Sequence, residues 1–137
     1  EIAIMKLVDD GLAMGIVTSN GERMLGFYTG TLGFTRGDTV SFPGMGTVHK
    51  LAHGRCQIKM LVLDAEPGAA NPGGGFNAAT GFRYCSFQVE EIESLVAQCR
   101  AAGCALIVEP AEIRPGVKAA VVEDLDGNTL EFMQFDA

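Results

Sequence analysis

The sequence predicts an α+β fold made of two βαβββ modules that pair with each other. Three observations carry this expectation. The first half of the chain holds an apolar run, a helix-period stripe and three further strand-like runs, and the second half repeats that order. A Gly- and Pro-rich stretch at 65–81 separates the halves. The 137 residues make one domain, and neither half is large enough for a sound core, so each must cover the other. An apolar share of 47% against 20% charged residues fits a packed core and excludes wholesale disorder.

The elements follow in order. Leu12–Val17 is apolar and reads as a strand. Ser19, with Glu22 three residues later, reads as a capping box opening a helix over about 21–32. Met24, Leu25, Phe27, Tyr28 and Leu32 form its apolar stripe, and Gly33 is placed to end it. Strands are expected over about Phe34–Phe42, Thr47–Ala52 and Gln57–Leu63, with turns at Pro43–Gly46 and His53-Gly54. In the second half Arg83–Val89 reads as a strand and Glu91–Ala102 as a helix, with Ile92, Leu95, Val96 and Cys99 on one face and Gly103 at its end. Ala105–Val108 is a strand that Pro110 should stop. Lys118–Glu123 and Thr129–Phe135 are the last two strands, joined by the turn Asp124-Leu125-Asp126-Gly127-Asn128. The expected organisation is therefore a single domain over 1–137, with module one at about 12–64, a linker at 65–81 and module two at about 82–135.

Charge and composition exclude several functions. A net charge of −7, with ten Lys and Arg dispersed along the chain, lacks the footprint that a phosphate backbone requires, so no nucleic-acid partner is expected. Apolar runs such as Met60–Leu63 are far too short to span a membrane. There is no signal-peptide pattern, and Met5 fits a natural start that leaves residues 1–4 outside the native chain. The cysteines Cys56, Cys85, Cys99 and Cys104 form no C-x-x-C pair, which argues against a zinc knuckle. They sit in or beside apolar patterns as small core hydrophobes, and a reducing cytoplasm is the expected compartment. Cys56, next to Arg55, is the candidate nucleophile among them, without a paired histidine evident in the sequence.

Two motifs carry a resemblance. Arg23-Met24-Leu25-Gly26-Phe27-Tyr28 runs into Thr31-Leu32-Gly33-Phe34, and Glu123-Asp124-Leu125-Asp126-Gly127-Asn128-Thr129-Leu130-Glu131-Phe132 opens the last strand. With the doubled module these resemble the vicinal oxygen chelate superfamily, which includes glyoxalase I, bleomycin-resistance proteins and extradiol dioxygenases. The resemblance covers about 12–135 and implies a curled mixed sheet with an open cup and helices on its outer face. Both motifs also have a structural role, in helix packing and turn chemistry, so they point to a fold more than to a reaction.

The resemblance also implies four positions for metal ligands, one on the first and one on the last strand of each module. Strand alternation, taken with those family positions, places them at Ala13, Lys59, Tyr84 and Glu131, all facing the cup. Only Glu131 is an ordinary ligand, so no metal is expected, the alternative being a divalent ion held at Glu131 by a displaced set. His49 and His53 do not replace the missing donors, because four residues along a strand separate them by roughly 13 Å. Lys59 and Glu131 are expected either to pair across the cup floor as a cross-module link or to orient a ligand's polar group, with Tyr84 beside them. These three are the candidate catalytic residues. Gln57, Ser86, Met133 and Phe42 join them as candidate ligand contacts, with Leu61 and Phe135 on the cup walls and Met45, Phe76 and Phe82 at its rim. The leading expectation is a metal-independent, homodimeric small-molecule-binding protein of the glyoxalase/bleomycin-resistance type, holding an amphipathic or aromatic ligand. The negative charge hints at a cationic one. A metal-dependent lyase, isomerase or dioxygenase and a non-catalytic interaction subunit are the alternatives.

Overall fold

The computed structural model describes residues 3–137. Its elements run β1 (Ala13–Thr18), α1 (Gly21–Gly30), β2 (Thr35–Phe42), β3 (Gly46–His53), β4 (Cys56–Leu63), β5 (Tyr84–Gln88), α2 (Ile92–Ala101), β6 (Ala105–Arg114), β7 (Val117–Glu123) and β8 (Thr129–Phe135). They form two four-stranded sheets with the same internal order, β1-β4-β3-β2 and β5-β8-β7-β6. In each, the first strand pairs parallel to the last and the remaining pairs are antiparallel. This is the repeated βαβββ, α+β architecture that the sequence predicts.

Alternation of burial gives each sheet two unlike faces. Ile58 and Met60 of β4, and Leu130 and Phe132 of β8, are buried on the helix side. They join Met24, Leu25, Phe27 and Tyr28 of α1 and Ile92, Val96 and Cys99 of α2 in one core shared by both modules. The Phe34 and Phe87 rings meet edge to face across the seam, with centroids 6.3 Å apart. The other face of each sheet carries Lys59 and Tyr84, both exposed, and Glu131, half-buried.

One polar group ties the modules together inside this apolar region. Asp124, at the end of β7, is only 4% exposed. Its carboxylate accepts a 2.6 Å hydrogen bond from the Tyr28 hydroxyl of α1. It also accepts the N–H groups of Asp126 and Asn128 and the Asn128 side-chain amide. Every lone pair is thereby occupied, which is what makes the burial of a carboxylate tolerable. Next to it, the Thr18 hydroxyl and the Asn20 amide at the end of β1 donate to Asp126.

Three expectations are corrected. The helix in module one ends at Gly30 instead of extending to Leu32, and the chain leaves it through Gly33 at φ +82°. The capping box does not form: Asn20 is the N-cap without a side-chain bond to the helix, and Ser19 donates instead to Glu66 of the linker. Pro110 does not stop β6, which continues to Arg114. The strand lies at a sheet edge, and its register shifts between Val108 and Ala111, so the missing proline N–H leaves no ladder bond broken.

The linker is ordered against module two. A short 3-10 turn covers Gly75–Asn77. The Arg83 guanidinium donates to the carbonyls of Gly73 and Gly75, the Gly74 N–H donates to Glu123, and Asn71 donates to Asn128. Phe76 rests edge-on against the Tyr84 ring at 4.6 Å.

Two predictions follow from the buried Asp124 and its surroundings. Tyr28→Phe removes one hydrogen bond to a buried carboxylate and should lower stability at neutral pH by about 1–3 kcal/mol, read from urea unfolding. Burial, with lesser contributions from Asp124 and Cys56, pushes the Cys85 thiol up to about 12. A thiol held protonated in the folded state stabilises fully below its ordinary value near 9 and loses that contribution as pH rises towards 12. The unfolding midpoint should therefore fall between pH 9 and 11, and Cys85→Ala should flatten that fall.

Candidate functional site

The predicted alternation places the candidate residues on the faces turned away from the helices. Along β5, Tyr84, Ser86 and Gln88 are exposed while Cys85 and Phe87 are half-buried towards the core. Along β8, Glu131 and Met133 alternate with the buried Leu130 and Phe132. Along β4, Gln57 and Lys59 are exposed around the buried Ile58. Phe42 ends β2 with 46% of its surface in water, and Tyr84 has 55%.

Register decides which of these residues meet. Ala13 lies beside Gln57 and Gly15 beside Lys59 in the first sheet. Ser86 and Val121 flank Glu131 in the second. The expected Lys59–Glu131 ion pair is not formed. Among the described residues the ion pairs are Arg55–Asp10 at 3.6 Å and Lys118–Glu93 at 2.7 Å, both at the surface. The two residues hold corresponding places in different sheets, and among the described residues no strand pairing joins those sheets.

The implied ligand positions do not fit a divalent ion. Ala13 offers no donor, Lys59 brings a positive charge, and Tyr84 is a phenol packed against Phe76. Glu131 is the single carboxylate, and its register neighbours Ser86 and Val121 add no strong ligand. Among the described residues no three His, Cys, Asp or Glu side chains are grouped to hold a metal. His49 stands opposite Met60 and Thr39, half-buried, whereas His53 lies edge-on to Phe34 at 5.7 Å.

The tight β3–β4 hairpin sets His53 directly opposite Cys56. Sequence spacing alone pairs no histidine with that cysteine. Strand pairing across the two-residue turn Gly54-Arg55 is the signal that identifies one. Both residues line an apolar cavity of about 290 Å³ at the module seam, with Leu32, Phe34, Phe87 and Leu95. Cys56 is the exposed one of the four, in keeping with its selection as the candidate nucleophile, while Cys99 and Cys104 are buried and Cys85 is half-buried. A second, more polar cavity of about 460 Å³ lies under the linker, lined among others by Val17, Leu63, Phe82, Arg83 and Asp126. The Nε of Arg83 is buried there without a hydrogen-bond partner. Neither cavity takes in Lys59, Tyr84 or Glu131, which stand on the open sheet faces.

Comparison with known proteins agrees with this architecture. A glyoxalase family protein from Bacillus cereus superposes with a TM-score of 0.84, at 15% identity, over 100% of both chains. A glyoxalase family protein from Enterococcus faecalis gives 0.66 at 25% identity, covering 90% of this chain and 94% of its own. TnmS3, an antibiotic binding protein from Streptomyces sp. CB03234, gives 0.66 at 17% identity, over 96% and 100%. No curated protein matches the sequence. The family model for the Glyoxalase/Bleomycin resistance protein/Dioxygenase superfamily matches residues 12–132, and with the doubled βαβββ module it shows that the chain belongs to that superfamily.

Proposed function

We propose that the protein binds a small amphipathic or aromatic molecule in a cup walled by the open sheet faces, and does so without a metal ion. The observation that carries this reading is the substitution of the donor set. Where the family's ligands would stand, the chain presents an alanine, a lysine, a tyrosine and one glutamate. Around them Val40, Phe42, Tyr84 and Phe135 expose apolar surface. Apolar walls with a few polar groups suit ligand capture and orientation. The antibiotic binding described for TnmS3, on the same fold, supports a binding role over a particular reaction.

The binding unit is proposed to be a homodimer. The edge strands β2 and β6 leave Val40, Phe42, Ile107, Val108 and Ile113 exposed, and a second copy would cover such apolar strand edges.

Metal analysis of protein purified without chelator tests the first reading. Substoichiometric Zn, Fe, Mn and Ni are expected, and one equivalent of any of them bound per chain would overturn it. Removing residual metal should leave the melting temperature unchanged. Analytical ultracentrifugation at micromolar concentration should give twice the 14.4 kDa chain mass, and a monomer would sink the dimer.

A further inference from the structure

The cross-strand register places Lys59 directly opposite Lys50 of β3, on the open face of the first sheet. Both side chains are exposed. Such neighbours have Cβ atoms about 4.5–5.5 Å apart, and like charges there destabilise a sheet. Neither lysine takes part in an ion pair among the described residues, although the sequence carries 17 Asp and Glu.

The positions beside the pair are equally informative. Gly15 of β1 is the register neighbour of Lys59, and a Cβ built on it would meet nothing within 4 Å. Gly37 of β2 approaches Lys50 from the other side, where its Cβ would lie 3.9 Å from that of Lys50. The row reads Gly15, Lys59, Lys50, and beyond Lys50 it meets a bulge of β2 between Arg36 and Thr39 that holds Gly37 and Asp38. On the Lys59 side the row ends at a residue without a side chain, and glycine in a strand commonly marks close approach of another group, whereas Gly37 belongs to the bulge. The adjacent row on the same face is apolar, with Leu61 opposite Val48.

We infer that this row is an anion subsite, and that the ligand of the cup is an aromatic molecule carrying a carboxylate. This rests on the binding role proposed above and adds the charge of the ligand. The carboxylate sits between the Lys50 and Lys59 ammonium groups, in the space left by Gly15. The ring lies on Leu61 and Val48. The anion removes the repulsion between the lysines, so binding gains from both contacts. The charge on this face is opposite to the net charge of −7, which on its own hints at a cationic ligand.

Three probes of one shape test the assignment: 1-naphthoate, 1-naphthylmethanol and 1-naphthylmethylammonium, each titrated into the full chain by calorimetry. Naphthoate should bind at least tenfold tighter than the alcohol, and the ammonium more weakly still. Raising salt from 50 to 500 mM should weaken naphthoate and leave the alcohol unchanged. Lys50→Gln and Lys59→Gln should each erase most of the preference, Lys59→Arg should keep it, and Gly15→Val should block naphthoate by filling the space beside Lys59. Circular dichroism and the melting temperature confirm that each variant folds. If the alcohol or the ammonium binds as tightly as naphthoate, or the glutamine variants bind naphthoate like the parent, the anion subsite is wrong while the binding cup stands. If none of the three binds at millimolar concentration, both readings fall.

Discussion

The arrangement of the two modules depends on a carboxylate buried in an apolar seam. Asp124 has little water to fall back on, so its charge is supported by its hydrogen bonds alone. Four of them come from its own turn and fix the conformation that opens β8. The fifth comes from Tyr28, on the helix of the other module. Burial and the proximity of Asp124 hold that phenol well above its ordinary value, so it remains a donor throughout the neutral range. Hydrophobic contacts such as Phe34 against Phe87 supply the area of the interface. The Tyr28–Asp124 bond supplies its alignment, because a shift of an ångström would strand a buried charge.

That division of labour explains what could be read in the sequence. Local period and turn chemistry located each element, since helix stripes and strand alternation are properties of neighbouring residues. Alternation also assigned faces correctly at Tyr84, Lys59 and Glu131. The failures involve competition with distant groups. Ser19 has the spacing of a capping residue, yet Glu66, brought near by the linker, takes its hydroxyl. Pro110 reads as a strand breaker, and its place on a bulged sheet edge makes it harmless. The Asp124–Tyr28 bond lies between motifs that were each identified, but nothing in either motif says they touch.

The candidate site shows the same limit. The choice of Lys59, Tyr84 and Glu131 comes from the family resemblance and their face from the strand pattern, whereas their neighbours follow only from register. Lys50 carries no signal in the sequence, because a lone lysine on a strand is ordinary. Its pairing with Lys59 across β3 and β4 makes it unusual. The Lys59–Glu131 link failed for a related reason: equivalent positions in two modules are alike by repetition, and repetition brings nothing into contact.

The bonding of the linker changes how connectivity should be viewed. On the sequence, 65–81 is a slack tether, and a slack tether lets a module pair with its own partner or with one from another chain. In the fold, Arg83, Glu123 and Asn128 hold 71–75 against module two. The stretch not held by module two shrinks to 64–70, where Glu66 accepts a bond from Ser19 of module one, and it spans at most about 23 Å when fully extended. The linker thus behaves as part of module two for most of its length, and only a short stretch is left to set how far apart the two modules can stand.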